Sequence, residues 1–288
     1  MPQQEAVLEV PPPELRIVPI ESVLPHEEHD DQRLEPLMKR IVESNIWLHP
    51  PVVTSMPNMA DKWVVLDGAN RCNAVRRLGY PHILVQVVQY DTGQVQLDTW
   101  NHVIAEVDPQ TIVEALHKTD DITIEESELL TAQAQLAKRY ALAYLIDYTD
   151  QKRVYLITGN ERDIRTRTRL LRRVVDVYKR QGVLERISSV NTSHVEQMFP
   201  DVAAVMVFPH YEPSEILYAA REDILLPPGI SRHIIHGRAM RILYSLEAMI
   251  DPATPLEVKN EHLQAWVVER TQARAVRFYA ESIYTFDD

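Results

Sequence analysis

The stretch Lys62–Gly79, KWVVLDGANRCNAVRRLG, decides how the first part of the chain folds. Trp63 to Leu66 form an apolar run into Asp67-Gly68, and a short helical pattern follows at once and stops at Gly79. The pattern predicts strand, tight turn, helix, with an acid and an arginine at the junction. A helix start presents backbone N–H groups and partial positive charge to whatever sits above it. Asp67 at the strand end can hold a metal or orient a hydroxyl. Arg71, about one turn into the helix, can clamp an oxyanion. Gly68, Ala69, Asn70 and Arg71 therefore read as a phosphate- or carboxylate-binding junction. A plain Asp-Gly turn followed by a solvated arginine fits the same residues.

On the N-terminal side, residues 14–24 read as a strand and its exit. A dense acidic loop follows, His26 to Asp31. The next helix starts between Gln32 and Pro36 and carries Leu34, Leu37, Met38, Ile41 and Val42 on one face. It ends near Ser44-Asn45. Strands are predicted over 50–55 and 62–67, a helix over 69–78, and an apolar strand over 83–90. Alternating strands and helices predict an α/β domain over 14–105. Residues 1–13, ending in Pro11-Pro12-Pro13, read as a flexible arm.

Beyond residue 105 the pattern predicts a helix over 124–136 and a hairpin formed by 141–148 and 153–158. Asn160 reads as the N-cap of a helix that turns Ile164, Leu171, Val175 and Tyr178 inward and stops before Gly182. Further on come a strand over 202–208, a helix over 213–222 and two strand-like runs within 232–246 around His236-Gly237. A long helix covers 256–282. The simplest account is a second mixed α/β domain over 106–288.

Composition narrows the function classes. The chain has 288 residues, is 45% hydrophobic and carries a formal net charge of −12. That charge argues against routine nucleic-acid binding, because phosphates reward dense Lys and Arg. No apolar run approaches the roughly 20 residues of a membrane span. The first residues lack a basic segment followed by an apolar one, so a cytoplasmic location is expected. The single cysteine, Cys72, excludes an internal disulfide framework and a cysteine-based zinc cluster. Neither GxGxxG nor GxxxxGK[ST] occurs, so any nucleotide is held some other way.

Three further segments can carry chemistry. The loop at 26–31 reads as a solvated acidic run, as a metal site using His26, His29 and their carboxylate neighbours, or as the location of a general base. Hard carboxylates there suit Mg²⁺ better than zinc. Arg162, Arg165, Arg169 and Arg172 are helically spaced, with Arg173 and Arg180 nearby; they fit a charged outer face or a contact with nucleotide or nucleic acid. Leu225 to His233, LLPPGISRH, fixes an irregular loop followed by a hydroxyl, a guanidinium and an imidazole at Ser231, Arg232 and His233. Trp100 fits either core packing or a site.

The order strand, PHEE, helix, strand, LDGxxR, helix, apolar strand resembles the N-terminal domain of the ParB/sulfiredoxin superfamily. Over most of its length the chain resembles, more closely, the free serine kinases of that superfamily. The residues concerned are Pro25-His26-Glu27-Glu28, Asp67-Gly68-Ala69-Asn70-Arg71, Trp100-Asn101 and Leu226 to His233. The resemblance implies a kinase that transfers a phosphoryl group from ADP or ATP to the hydroxyl of free L-serine, or a similar hydroxy amino acid, giving O-phosphoserine. It implies Mg²⁺ at Asp67, within the catalytic centre, and a general base in the PHEE segment. Spacing to Asp67 favours Glu28 over Glu27. Serine recognition falls to Ser44, Trp100, Ser231, Arg232 and His233, with the second domain completing the substrate cleft. These kinases carry DGHHR, whereas this chain has Ala69 and Asn70, neither of which titrates near neutral pH. The alternative is a catalytically reduced ligand-binding or regulatory protein on the same scaffold, since some relatives act as regulators in siderophore gene clusters.

Overall fold

The computed structural model describes residues 12–28, 34–160, 163–179 and 181–279. His29, Asp30, Asp31, Arg162 and Arg180 lie outside the described residues, as does most of the expected N-terminal arm. The chain forms two compact units, each discontinuous in sequence. One contains the described residues up to 25, 34–96 and from 233 onward; the other contains 26–28 and 97–232.

In chain order the first unit comprises β1 (Glu14–Pro19), β2 (Val23–Leu24), α1 (Leu34–Ser44), β3 (Ile46–Trp47), β4 (Val52–Ser55), β5 (Trp63–Asp67), α2 (Ala69–Arg77) and β6 (His82–Val87). Strand β7 (Val95–Thr99) then carries the chain into the second unit. Five strands make a mixed sheet in the order β1-β6-β4-β5-β2. Its near-continuous apolar strands follow from burial: Val64, Val65, Ile83, Leu84 and Val85 are all at most 1% exposed. Helices α1 and α2 pack against each other and supply Leu34, Ile41, Cys72, Ala74 and Val75 to this core.

The second unit contains β8 (Asn101–Ala105), α3 (Pro109–His117), β9 (Ile122–Ser127), α4 (Leu129–Ala137), β10 (Ala141–Asp147), β11 (Val154–Gly159), α5 (Ile164–Tyr178), β12 (Val183–Ile187), α6 (Thr192–Met198), β13 (Val202–Val207) and α7 (Pro213–Arg221). Its six strands pair antiparallel throughout, in the order β12-β8-β13-β10-β11-β9. Strand β14 (Ser231–Ile235) returns the chain to the first unit, which ends with β15 (Tyr244–Ser245), α8 (Leu246–Ile250) and α9 (Leu256–Gln272).

The mixed α/β class read from the sequence is the class observed. The division differs from a single boundary at residue 105. Strand β8 lies between β12 and β13, so residues 97–105 belong with later strands. The last helix closes the edge of the first sheet. The Asn260 side chain accepts from the Ile17 N–H and donates to the Ile17 carbonyl, both at 2.9 Å, and Gln264 donates to the Leu15 carbonyl at 3.0 Å. These amides satisfy an exposed strand edge that would otherwise be free to pair elsewhere.

Several local expectations change. Residues 122–127 form a strand, not the start of a helix: Ile122 and Ile124 are buried while Thr123 and Glu125 are exposed, a period of two. Asp163, not Asn160, caps α5, accepting from the Thr166 N–H at 3.0 Å. Helix α9 stops at Gln272, where Arg274 turns left-handed with φ 53°. The second run after Gly237 is irregular up to β15, with Arg241 and Leu243 at positive φ. Strands β8 and β12 and helices α3 and α6 were not read from the sequence.

Removing the α5 cap tests this assignment. Asp163→Ala should destabilise the protein through loss of the cap, seen as a lower urea midpoint with an unchanged slope. Asn160→Ala should leave the midpoint in place.

Candidate functional site

In the first unit, β5 delivers Asp67 to the sheet end and Gly68 turns the chain into α2 with φ 96°. A side chain at Gly68 would be strained by that φ, and its Cβ would lie 2.7 Å from Arg71 Nη2. Glycine therefore lets Arg71 fold back over the turn. Arg71 Nη2 donates to Asp67 Oδ2 at 2.6 Å, and Nη1 donates to the His49 carbonyl at 3.2 Å. A second guanidinium reaches the same oxygen: Arg238 Nη2 also donates to Asp67 Oδ2. Burial alone raises the Asp67 pKa, but the two arginines outweigh it and hold the carboxyl below the usual aspartate range. Two cations around one carboxylate leave a surplus positive charge beside the α2 N-terminus. Ala69, Asn70 and Arg71 form its first turn, whose N–H groups have no helical acceptors.

Ser44 and His233 also lie in this unit. The Ser44 hydroxyl, at the end of α1, bonds its own helix terminus through the Ile41 carbonyl at 3.3 Å. His233 Nε2 is 2.7 Å from the Tyr90 hydroxyl, whose pKa burial pushes up so that it keeps its proton.

In the second unit, a parallel bridge between Glu27 and Leu226 joins the PHEE segment to the Pro-Pro-Gly loop. Its backbone bonds run from the Glu28 N–H to the Leu226 carbonyl and from the Leu226 N–H to the His26 carbonyl, both at 2.9 Å. Glu27 Oε2 accepts from Ser231 Oγ at 3.1 Å and from the Gly229 N–H at 3.3 Å. Buried His26 places Nε2 2.7 Å from Ser231 Oγ. Serine has one hydrogen and gives it to Glu27, so His26 Nε2 is the donor. The three side chains form a hydrogen-bonded relay that ends on Glu27 Oε2. Glu28 instead faces Arg172 at 3.5 Å, with both side chains about a third exposed.

Gly229, at φ 72°, is fixed from two sides. A Cβ there would meet the Arg186 guanidinium at 2.3 Å. Its carbonyl lies 3.1 Å from His102 Nε2, and His102 Nδ1 lies 2.9 Å from the Tyr178 hydroxyl. The neutral Nε2–H tautomer satisfies both contacts, and burial lowers the His102 pKa to about 4. Arg232 donates to Asp98 Oδ2 at 3.0 Å, and its guanidinium carbon sits 4.4 Å from the centre of the Trp100 ring. The ring fixes the plane of the guanidinium.

Local sequence found Asp67, Gly68 and Arg71, which come together, and Glu27 and Ser231, which also meet. It did not find Arg238, which is 171 positions from Asp67; the one local sign is the positive-φ Gly237 before it. Nor did it find His26 as a hydrogen-bond donor, Asp98, or Arg172 as a partner of Glu28. Among the described residues no group of three His, Cys, Asp or Glu side chains is placed to hold a metal. No helix among them is long and apolar enough to cross a membrane. A separate cavity of about 230 Å³ in the second unit is lined by Lys138, Arg139, Arg167, Tyr211 and Glu215, and contains none of the predicted site residues.

The chain has the fold of the free serine kinases. It superposes on a free serine kinase in complex with AMP with a TM-score of 0.69 at 16% identity, over 83% of this chain and 95% of that one. It superposes equally on a C-terminally truncated SbnI from Staphylococcus aureus, TM-score 0.69 at 18% identity, over 89% and 97%. In sequence it is similar to the ATP-dependent L-serine kinase of Staphylothermus marinus, 31% identical over 119 residues, and to that of Desulfurococcus mucosus, 37% over 84 residues. The matches cover 38% and 29% of this chain, and the chain spans 47% and 32% of those relatives. No protein-family model matches. The resemblance to the free serine kinases thus holds in both sequence and fold.

The buried imidazole gives a pH test of the second-unit geometry. The folded protein binds the His102 proton less readily than the unfolded chain, so this group withdraws stability as pH falls from about 6.5 toward 4. Its ring resonances should titrate near pH 4. A His102 midpoint of 6 or above contradicts the hydrogen-bond assignment.

Proposed function

We propose that the protein transfers a phosphoryl group from ATP or ADP to the hydroxyl of free L-serine. The serine oxygen attacks the terminal phosphorus, the bond to the bridging oxygen breaks, and the shortened nucleotide leaves. The serine proton passes to a carboxylate. The observation that carries this reading is Asp67 held by guanidinium groups at a helix N-terminus, on a fold shared with free serine kinases. Phosphoryl transfer depends mainly on positioning and charge neutralisation, which such a junction supplies.

Asp67 and the first turn of α2 are assigned to the phosphoryl end. Mg²⁺ fits one protein carboxylate completed by phosphate oxygens and water, since Mg²⁺ is seldom caged by protein alone. When bound, it neutralises charge on the transferring group. Glu28 is assigned as the base that accepts the hydroxyl proton. Its partial exposure, with Arg172 at 3.5 Å, favours it over Glu27, whose Oε2 already accepts two hydrogen bonds. Glu27 and Ser231 then shape the loop. Arg232, stacked on Trp100, is assigned to the serine carboxylate, which replaces or joins Asp98 on the guanidinium fork. Ser44 and His233 remain proposed serine contacts.

Phosphorus NMR of the protein with L-serine, Mg²⁺ and either donor should show O-phosphoserine. Its absence with both donors, from folded protein, overturns the proposal; nucleotide binding without turnover would leave a ligand-binding or regulatory protein. Glu28→Gln should reduce the rate by roughly a hundredfold or more. Full activity in Glu28→Gln with loss in Glu27→Gln moves the base to Glu27. Arg232→Ala should raise KM for serine roughly ten- to a hundredfold.

A further inference from the structure

Arg238 does not reach Asp67 as a loose surface side chain. The backbone on either side of it is held by one buried residue, Gln86 of β6, which is 2% exposed. Gln86 Nε2 donates to the Gly237 carbonyl at 3.0 Å, and Gln86 Oε1 accepts from the Ala239 N–H at 2.8 Å. Gly237 makes the turn with φ 70°, and Ala239 is itself buried. The amide grips both neighbours of Arg238 and leaves only its side chain to move. That guanidinium ends on the same carboxylate oxygen as Arg71.

A structural ion pair needs one arginine. Here two share one oxygen, next to a helix start that favours anions, and the Asp67 and Arg238 side chains remain partly exposed. Arginine forks suit phosphate as well as they suit carboxylate. We infer that Arg238 is a phosphate-binding residue, and that Gln86 is the positioning residue that presents it. Asp67 occupies the guanidinium edges that a phosphate group takes, so the two anions exchange as partners. Phosphate draws Arg238 and Arg71 off Asp67, and the carboxylate is thereby released toward a cation that accompanies the phosphates. The device couples arrival of the anion to exposure of the acid. It rests on the kinase reading for the choice of nucleotide; the charge and geometry supply an anion site that a phosphate group fits.

Calorimetric titration of the full chain with ADP and with adenosine, at matched ionic strength, tests this. Arg238→Met should weaken ADP binding roughly tenfold or more while adenosine is unaffected, because the lost contact is to phosphate. Arg238→Lys should recover part of the loss. Gln86→Leu, checked for folding by circular dichroism, should weaken ADP several-fold without touching adenosine, which a general loss of structure would not do. Wild-type ADP affinity in Arg238→Met, within about twofold, overturns the inference, and so does a wild-type protein that binds no ADP. O-phosphoserine formation by the wild type, measured alongside, separates this outcome from failure of the kinase reading: ADP binding that depends on Arg238 without turnover sinks that reading alone.

Discussion

The grip of Arg71, from the following helix, and Arg238, from a distant loop, on the Asp67 carboxylate is the interaction around which the candidate site of the first unit is built. Each partner has a structural reason to be there. Strand β5 ends at Asp67, Gly68 opens the space into which Arg71 folds, and Gln86 fixes the backbone around Arg238. An aspartate with one arginine is a neutral pair. With two it becomes a positively charged cradle at a helix N-terminus, an end that favours anions. Ala69 and Asn70 contribute no charge of their own, so the positive character of this junction comes from arginine.

The second unit is organised by a different constraint, the irregular loop before β14. Gly229 is packed under Arg186, its N–H is bonded to Glu27 and its carbonyl to His102. The bridge between Glu27 and Leu226 ties the PHEE segment to that loop, so residues far apart in sequence form one local structure. The relay from His26 through Ser231 to Glu27 uses a buried histidine as a hydrogen-bond donor and orients the glutamate. Arg232 points its charge elsewhere, to Asp98 and Trp100. Ser231, Arg232 and His233 thus have three different sets of partners: Glu27 and His26, Asp98 and Trp100, and Tyr90.

Much of this was legible in the sequence, and the rest was hidden for physical reasons. The strand–turn–helix at Lys62–Gly79 carries its signal locally: an apolar run, a positive-φ glycine and a helical stripe. The apolar strands of the first sheet are equally plain. Residues 122–127 are not plain, because only two of them are buried and a six-residue alternation next to a helix looks like part of the helix. Asp163 lost the cap to Asn160 in the sequence because both are good caps and only the backbone decides between them. Arg238 and Gln86 were invisible for a stronger reason. Their roles arise from contacts across 150 residues or more, and no local pattern marks an arginine that will meet a carboxylate.

Where a nucleotide's phosphates sit decides whether Asp67, Arg71 and Arg238 form a phosphate site. A crystal structure of the chain with ADP and Mg²⁺ addresses this directly. The phosphates should lie at the start of α2, bonded to first-turn N–H groups and to the guanidinium groups of Arg71 and Arg238. Phosphates bound elsewhere, such as in the basic cavity lined by Arg139 and Arg167, with both arginines still closed on Asp67, would contradict it.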